Sequence, residues 1–381
     1  MRLRRLASPV WAAVFCAVAT ALVFAPTLGN GFVWDDDVNV GINPHLTLDR
    51  AGLWWMLTTP WEIHPAWGGQ WIPLSWFTLA VDRYWWGYRA LGYHLTNVLA
   101  HAVSAGVLCL IAWRLLACAL PRASRRSVLV GAIAATLLWA IHPLRVESVA
   151  WVTERRDVLS GVFALLAVLT YLIAVEKRDQ GKEWHSYGIL SLVAFALALA
   201  SKTSVVMIPA VLLLLDAYPL GRLRGAWRHC LVEKLPYAAL AGVAAALTMT
   251  ALSTAGSLSQ YDRLERSAMA LHAAVFYLVK SVWPSGLSLL YEAPFHIPLT
   301  EFRFVGSAVV VLVVSIALVA WRRSWPAGLA VWAVYLLLLA PQSGLLHAGY
   351  ALAADRYTYL PALAPSLLAG AGVAMLRGGS R

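Results

Sequence analysis

The sequence predicts an all-α integral membrane protein, a polytopic bundle of about ten spans with short helices at its outer interface. Three observations predict it. Only 13% of the 381 residues are charged and 60% are hydrophobic, whereas a soluble domain carries about 25% charged residues. Apolar runs recur near the length that a hydrocarbon core demands, about 20 residues of helix. Residues 9–28, 95–120, 158–175, 235–252, 305–321 and 359–376 meet or approach it. Finally, basic residues gather in separate loops: Arg2, Arg4 and Arg5; Arg122, Arg125 and Arg126; Arg222, Arg224 and Arg228. That is the pattern of cytoplasmic loops, and it accounts for the net charge of +11 without nucleic acid. Backbone groups inside lipid pair within their own segment, so the runs are helices. The short alternating segments of a β-barrel are not seen.

Taken in order, residues 1–28 place three arginines before an apolar stretch. The layout resembles a signal peptide, but the apolar part exceeds a usual signal core, which predicts a retained first helix. Residues 29–93 then form the first extracytoplasmic loop, with nine of the 19 tryptophans. Tryptophan favours the interface, so short helices lying flat are predicted there. The chain turns inward from about residue 94, outward through 128–141 and inward through 158–175, leaving 142–157 as an outer loop. Residues 176–185 are charged and cytoplasmic. Two tight spans, 187–200 and 205–215, meet at the outer side at 201–204. Residues 216–234 lie inside, 235–252 run outward, and 253–267 form an outer loop. Arg322 and Arg323 require span 305–321 to end inside. Residues 268–283, though apolar, must therefore be re-entrant or interfacial. The last spans, 326–339 and 359–376, enclose an outer loop at 342–356. The expectation is one polytopic domain, 1–381, in the inner or plasma membrane, with both termini cytoplasmic. Cys16, Cys109, Cys118 and Cys230 make no zinc or redox spacing.

Ionisable residues at or near membrane depth mark function by default, and this topology puts four clusters on the outer side. Asp35-Asp36-Asp37 follow the first helix. Three adjacent carboxylates repel unless a cation or basic group is near. They either bind a divalent metal, supply a general base, or form a solvated loop that ends the helix. His142 to Glu147 and Glu154-Arg155-Arg156-Asp157 form the second cluster. If helical, Glu147 and Glu154 share one face; His142 and two carboxylates would suit a metal, and the arginines a phosphate. The alternative is a rim of charge pairs. Lys202 stands alone between two tight spans, as a ligand or as a lysine snorkelling to the interface. Asp355-Arg356-Tyr357 open the last helix, where Arg356 either grips an anionic headgroup or pairs locally with Asp355. Carboxylates, a histidine and cations above an apolar bundle suit a reaction on a phosphate-linked lipid. No glycine-rich nucleotide loop is present, which favours a lipid donor over a nucleotide.

Several ordered stretches carry a family resemblance: Trp34-Asp35-Asp36-Asp37 with Asn43-Pro44; Gly69-Gln70-Trp71-Ile72-Pro73-Leu74-Ser75-Trp76; Gly92-Tyr93-His94-Leu95-Thr96-Asn97; residues 142–160; Ser201-Lys202; Asp216-Ala217-Tyr218-Pro219-Leu220-Gly221-Arg222; Trp283-Pro284-Ser285-Gly286; and Ala354-Asp355-Arg356-Tyr357. The chain resembles, over nearly its whole length, the membrane part of the GT-C-fold glycosyltransferases related to the tetratricopeptide-repeat transmembrane O-mannosyltransferases, in their bacterial form. The resemblance implies a GT-C-like bundle that transfers a sugar from a polyprenyl-phosphate carrier to a protein or glycan acceptor at the extracytoplasmic face. It implies a catalytic acidic pair at Asp35 and Asp36. On this reading Glu147 joins them, and a divalent cation, Mg or Mn, is held by Asp35, Asp36 and His142. Substrate is bound by His142, Arg155, Arg156, Lys202, Asp355, Arg356 and Tyr357. The competing classes are a lipid or sugar flippase, which needs mid-membrane charges and repeat symmetry, and a non-catalytic scaffold.

Overall fold

A computed structural model describes residues 9–58, 71–254, 261–345 and 351–378. The arginines at 2–5, Gly69 and Gln70, and parts of the predicted outer loops 253–267 and 342–356 lie outside these residues. The apolar runs become helices: α1 (Val10–Phe24), then α2 (Arg50–Thr58) and α3 (Pro73–Trp86) in the tryptophan-rich loop, then α4 (Ala90–Ala119) and α5 (Arg125–Ala140). A short α6 (Val146–Ala150) leads into α7 (Arg155–Asp179), followed by α8 (His185–Ser201), α9 (Ile208–Ala217), α10 (Leu223–Thr254) and α11 (Arg263–Val282). The chain closes with α12 (Phe302–Ala320), α13 (Pro326–Leu339) and α14 (Leu363–Gly378). A two-stranded antiparallel pair departs from the all-α expectation: β1 (Tyr291–Glu292) pairs with β2 (Ala351–Ala353) and ties the loop before α12 to the loop before α14.

Among the described residues, five stretches are long and apolar enough to cross a membrane: Val10–Gly29, Ala90–Ala119, Val152–Asp179, Leu223–Ser253 and Phe302–Ala320. Arg125–Ala140 makes a sixth when taken with Pro143–Ala150, which bends away by 57°. Four further apolar helices are shorter: His185–Ser201, Thr203–Ala217, Pro326–Gln342 and Leu363–Leu376. The protein is therefore a multi-pass, helical membrane protein. α8 and α9 are the two tight helices expected there, and they part at the expected junction, where Lys202 adopts an extended backbone. α11, which contains residues 268–282 of the stretch expected to be re-entrant or interfacial, is amphipathic. Its buried stripe of Met269, Ala273, Ala274 and Tyr277 faces the bundle, and Asp262 with Glu265 closes its start as a capping box.

One core runs through α4, α7, α8, α9 and the start of α14, with Leu108, Leu172, Phe195, Leu212 and Tyr359 buried in it. Lipid tails are as apolar as leucine, so close backbone approach holds helices together in membranes. At the α5–α14 crossing a Cβ on Gly131 or on Gly370 would collide with the other's carbonyl. The fit of α14 on α5 depends on both glycines, and it fixes where the loop before α14 arrives.

Candidate active site

That loop is pinned from three sides. Trp139 Nε1 donates to the Tyr359 carbonyl at 2.7 Å. His101 Nε2 donates to the Ala140 carbonyl at 2.9 Å, which leaves Nδ1 to accept from the Tyr359 hydroxyl at 2.8 Å. The ring of Tyr359 lies where a side chain at Gly161 would be, so α7 leaves space for it. Arg145, fully buried, donates to Thr358 Oγ1 at 2.5 Å. The turn Asp355–Thr358 is thereby set beside the junction of α6 and α7.

Around it six charges close into one network. The Arg356 guanidinium contacts Glu147 through Nη1 and Glu154 through Nε, at 3.2 Å for the latter, and its backbone N–H donates to Glu147 at 2.8 Å. Arg156 grips Glu154 with two bonds, at 2.5 and 3.1 Å. Lys202 pairs with Asp157 and stands 3.5 Å from Glu154. Three cations thus meet three carboxylates, arranged in depth. The side chains of Glu154, Asp157 and Glu147 are 0%, 4% and 5% exposed, whereas those of Arg356, Arg156 and Lys202 are 13–15% exposed. The carboxylates lie beneath and the cations present their outer faces, an arrangement that receives an anion. Burial pushes the Glu147 carboxyl up to about 7, and the Arg356 contact opposes that rise. Burial works against the Arg356 charge, but Glu154, Tyr357 and Glu147 outweigh it and raise its pKa. Asp355 accepts from the Tyr291 hydroxyl at 3.1 Å, and the Tyr357 ring lies 5.0 Å from the Arg356 guanidinium.

Glu147 and Glu154 do not share one helix face, because the backbone turns extended at Trp151 between α6 and the 3₁₀ turn that starts α7. They meet through Arg356 instead. The indole of Trp151 lies under the Arg356 guanidinium at 5.4 Å and packs edge-on against Trp34 at 6.2 Å. Trp34 has φ 51°, a left-handed conformation that costs about 1–2 kcal/mol in a side-chain-bearing residue. This turn separates the three aspartates. Asp35 and Asp37 face outward, and Asp36 is fully buried. Asp36 Oδ1 accepts from the Thr153 N–H and hydroxyl, both at 2.7 Å, and Oδ2 accepts from the Val33 N–H at 3.0 Å. Burial raises the Asp36 pKa against those hydrogen bonds. Asp36 is a tether that locks the acidic loop to the residue before Glu154, while Asp35 keeps its carboxylate open.

Two expected ligands stand elsewhere. Arg155 is fully buried and spends its guanidinium on Asp82, the Asn97 carbonyl oxygen at 2.9 Å and the backbone carbonyls of Tyr93 and Thr78. It is closed to a donor phosphate. His142 accepts from the Leu144 N–H on Nδ1 at 3.2 Å and donates from Nε2 to the Ser281 carbonyl at 3.1 Å, fastening α11 to the site. Neither ring nitrogen is left for a metal. Nor do Asp35, Asp36 and His142 converge: among the described residues, the trio of potential ligands within 4.8 Å of one another is Asp216, Cys230 and Glu233. There Arg222 and Lys234 already neutralise Asp216. The expected divalent-cation set does not fit these side chains. Glu154 and Asp157, by contrast, are the buried anchors of the network. Their signal in the sequence is the four-charge run 154–157 inside an apolar chain.

The polar positions that build this site are those of the family-like stretches. Over 198 residues the chain is 31% identical to Protein O-mannosyl-transferase Tmtc1 of Drosophila melanogaster, covering 50% of this chain and 21% of that protein. The chain is a relative of the TMTC protein O-mannosyl-transferases. Identity to Tmtc2 of the same organism is 29% over 207 residues, and to TMTC4 of Mus musculus 28% over 240 residues, the latter covering 56% of this chain and 30% of that protein. The chain thus spans a fifth to under a third of the length of these TMTC relatives. No family model and no solved structure matches it.

Proposed function

We propose that this chain is a GT-C-type membrane glycosyltransferase of about ten spans, transferring a hexose from a polyprenyl-phosphate donor to a protein acceptor at the extracytoplasmic face. The observation that carries the proposal is the tier of three outward-facing cations over buried carboxylates, joined to the Asp35 loop through Asp36 and Thr153. The relatives' names supply the reaction class and the protein acceptor. In the reaction the acceptor hydroxyl attacks the anomeric carbon as the bond from that carbon to the phosphate oxygen breaks. Asp35 takes the hydroxyl proton, and polyprenyl phosphate leaves with the bonding electrons. Arg356, Arg156 and Lys202 hold the phosphate and stabilise the charge it gains, the task of preorganised donors in such sites. Asp355 and Tyr357 set the turn that carries Arg356. The test is to offer purified protein labelled polyprenyl-phosphate sugars and labelled nucleotide sugars. Consumption of the lipid-linked set supports the proposal, and consumption of the nucleotide set alone overturns it.

Arg356 grips a phosphate best with two parallel bonds. Arg356→Lys keeps the charge but loses the fork, so donor affinity should fall about tenfold, and further in Arg356→Ala. Equilibrium binding of labelled donor to folded variants checks this; parental affinity in both would remove Arg356 from the site.

Glu147 competes with the phosphate for Nη1 of Arg356. The donor's phosphodiester stays ionised across neutral pH, so the competition follows Glu147 alone. Below about pH 7 Glu147 is protonated and releases Arg356; above it the ionised carboxylate reclaims the guanidinium. Donor affinity is therefore expected to fall as pH rises through about 7, and the dependence to flatten in Glu147→Gln. A pH series of donor binding in the two proteins measures this, and parallel profiles would refute the competition.

A further inference from the structure

Beneath the charged network, α4, α7, α9, α13 and α14 do not close on one another. They enclose a cavity of about 590 Å³ with apolar walls such as Leu108, Leu165, Val211 and Leu367, well within the size range of ligand sites. A void of this size forfeits the dispersion contacts of its lining, so an apolar occupant stabilises it. The two ends differ. Toward the active site its lining includes Leu338 and Leu360, which are 4% and 5% exposed. At the far end it reaches Trp325 and Met375, which are 44% and 61% exposed. It runs along α13 from Pro326 to Leu338, about 18 Å at the helical rise of 1.5 Å per residue. That is close to one leaflet's share of a hydrocarbon core of about 30 Å.

The open end has the composition of a headgroup site. Trp325 and Tyr218 line it, residues that sit at the membrane interface. Arg322 and Arg323 immediately precede the lining Ser324, and Arg122 follows the lining Leu120 by two residues; all three arginines are exposed. Among the described residues, no Asp or Glu lines the cavity. We propose that this cavity binds one anionic glycerophospholipid, with an acyl chain inside the bundle and the phosphate at the arginine collar opposite the active site.

Native mass spectrometry of the full chain, offered equal phosphatidylglycerol and phosphatidylcholine, tests the proposal. The expected result is one retained phosphatidylglycerol, undisturbed by added polyprenyl phosphate. Ala330→Phe/Val334→Phe fills the cavity and should lose the lipid. Arg322→Gln/Arg323→Gln, both exposed and with Arg322 bonded only to the Val319 carbonyl of its own helix end, should keep a lipid but lose the anionic preference by roughly 10- to 30-fold. Equal retention of both lipids by the parent overturns the proposal, as does full retention of phosphatidylglycerol by the folded, filled variant. Displacement by polyprenyl phosphate also overturns it and gives the cavity to the donor.

Discussion

Asp35→Asn is expected to lower sugar transfer roughly 100- to 10,000-fold, the usual loss when a positioned general base is removed, with expression and donor binding near parental. The three adjacent carboxylates differ in what surrounds them. Asp36 has all of its oxygens' work inside the protein, on Val33 and Thr153, so it cannot also receive an acceptor's proton without releasing the loop. Asp37 opens the next turn and faces outward on the far side of the tether. Asp35 alone combines an open carboxylate with the strained residue that packs toward Arg356 through Trp151. Backbone strain of this kind collects at functional sites. Asp36→Asn should lose activity by a different route, loosening the acidic loop and lowering thermal stability along with turnover. Asp37→Asn should be mild. An Asp35→Asn protein that turns over at the parental rate would return these carboxylates to the solvated-loop reading.

Asp82→Ala is expected to be the most destabilising single change near the site, by about 3–5 kcal/mol, the cost of leaving one partner of a buried ion pair uncompensated. Arg155 is the first residue of α7 and is fully buried against Asp82, Asn97 and the backbone of α3 and α4. Asn97 in turn donates to the carbonyls of Val149 and Trp151. The pair therefore holds the floor on which Glu147, Trp151 and Glu154 are mounted. Thermal unfolding in detergent measures the effect. The double variant Asp82→Leu/Arg155→Met should recover much of the loss, because replacing both charges by apolar groups is often close to neutral. A parental midpoint in Asp82→Ala would show that the pair does not hold the site.

Most of the architecture was legible because the bilayer imposes one rule on every apolar run. Long stretches such as 95–120 and 158–175 fall inside the helices α4 and α7, which extend beyond them, and 268–283 falls in α11, which is amphipathic. Span length was the weaker inference, since α8, α9, α13 and α14 are shorter than a full hydrocarbon crossing. Within the site, the residue types in the charged runs were legible and their partners were not. Arg155 and Arg156 are neighbours of one kind, yet the first turn of α7 sends one inward to Asp82 and the other to Glu154. Asp82 gave no signal, being one acid in an aromatic helix. His142 looked like a ligand by type, but the proline after it makes the residue a cap, with both nitrogens used. Asp35 and Asp36 could not be ranked, because their divergence depends on the left-handed turn at Trp34.

The central claim is that the protein moves a sugar from a lipid phosphate to an acceptor through Asp35. The most direct measurement places the purified parent and Asp35→Asn in vesicles with labelled polyprenyl-phosphate hexose and a serine- and threonine-containing acceptor peptide. The account predicts label on the peptide with the parent, and label that stays bound as donor with the variant. Equal labelling by both proteins, or donor moved across the bilayer by the parent with no label on the peptide, would contradict it.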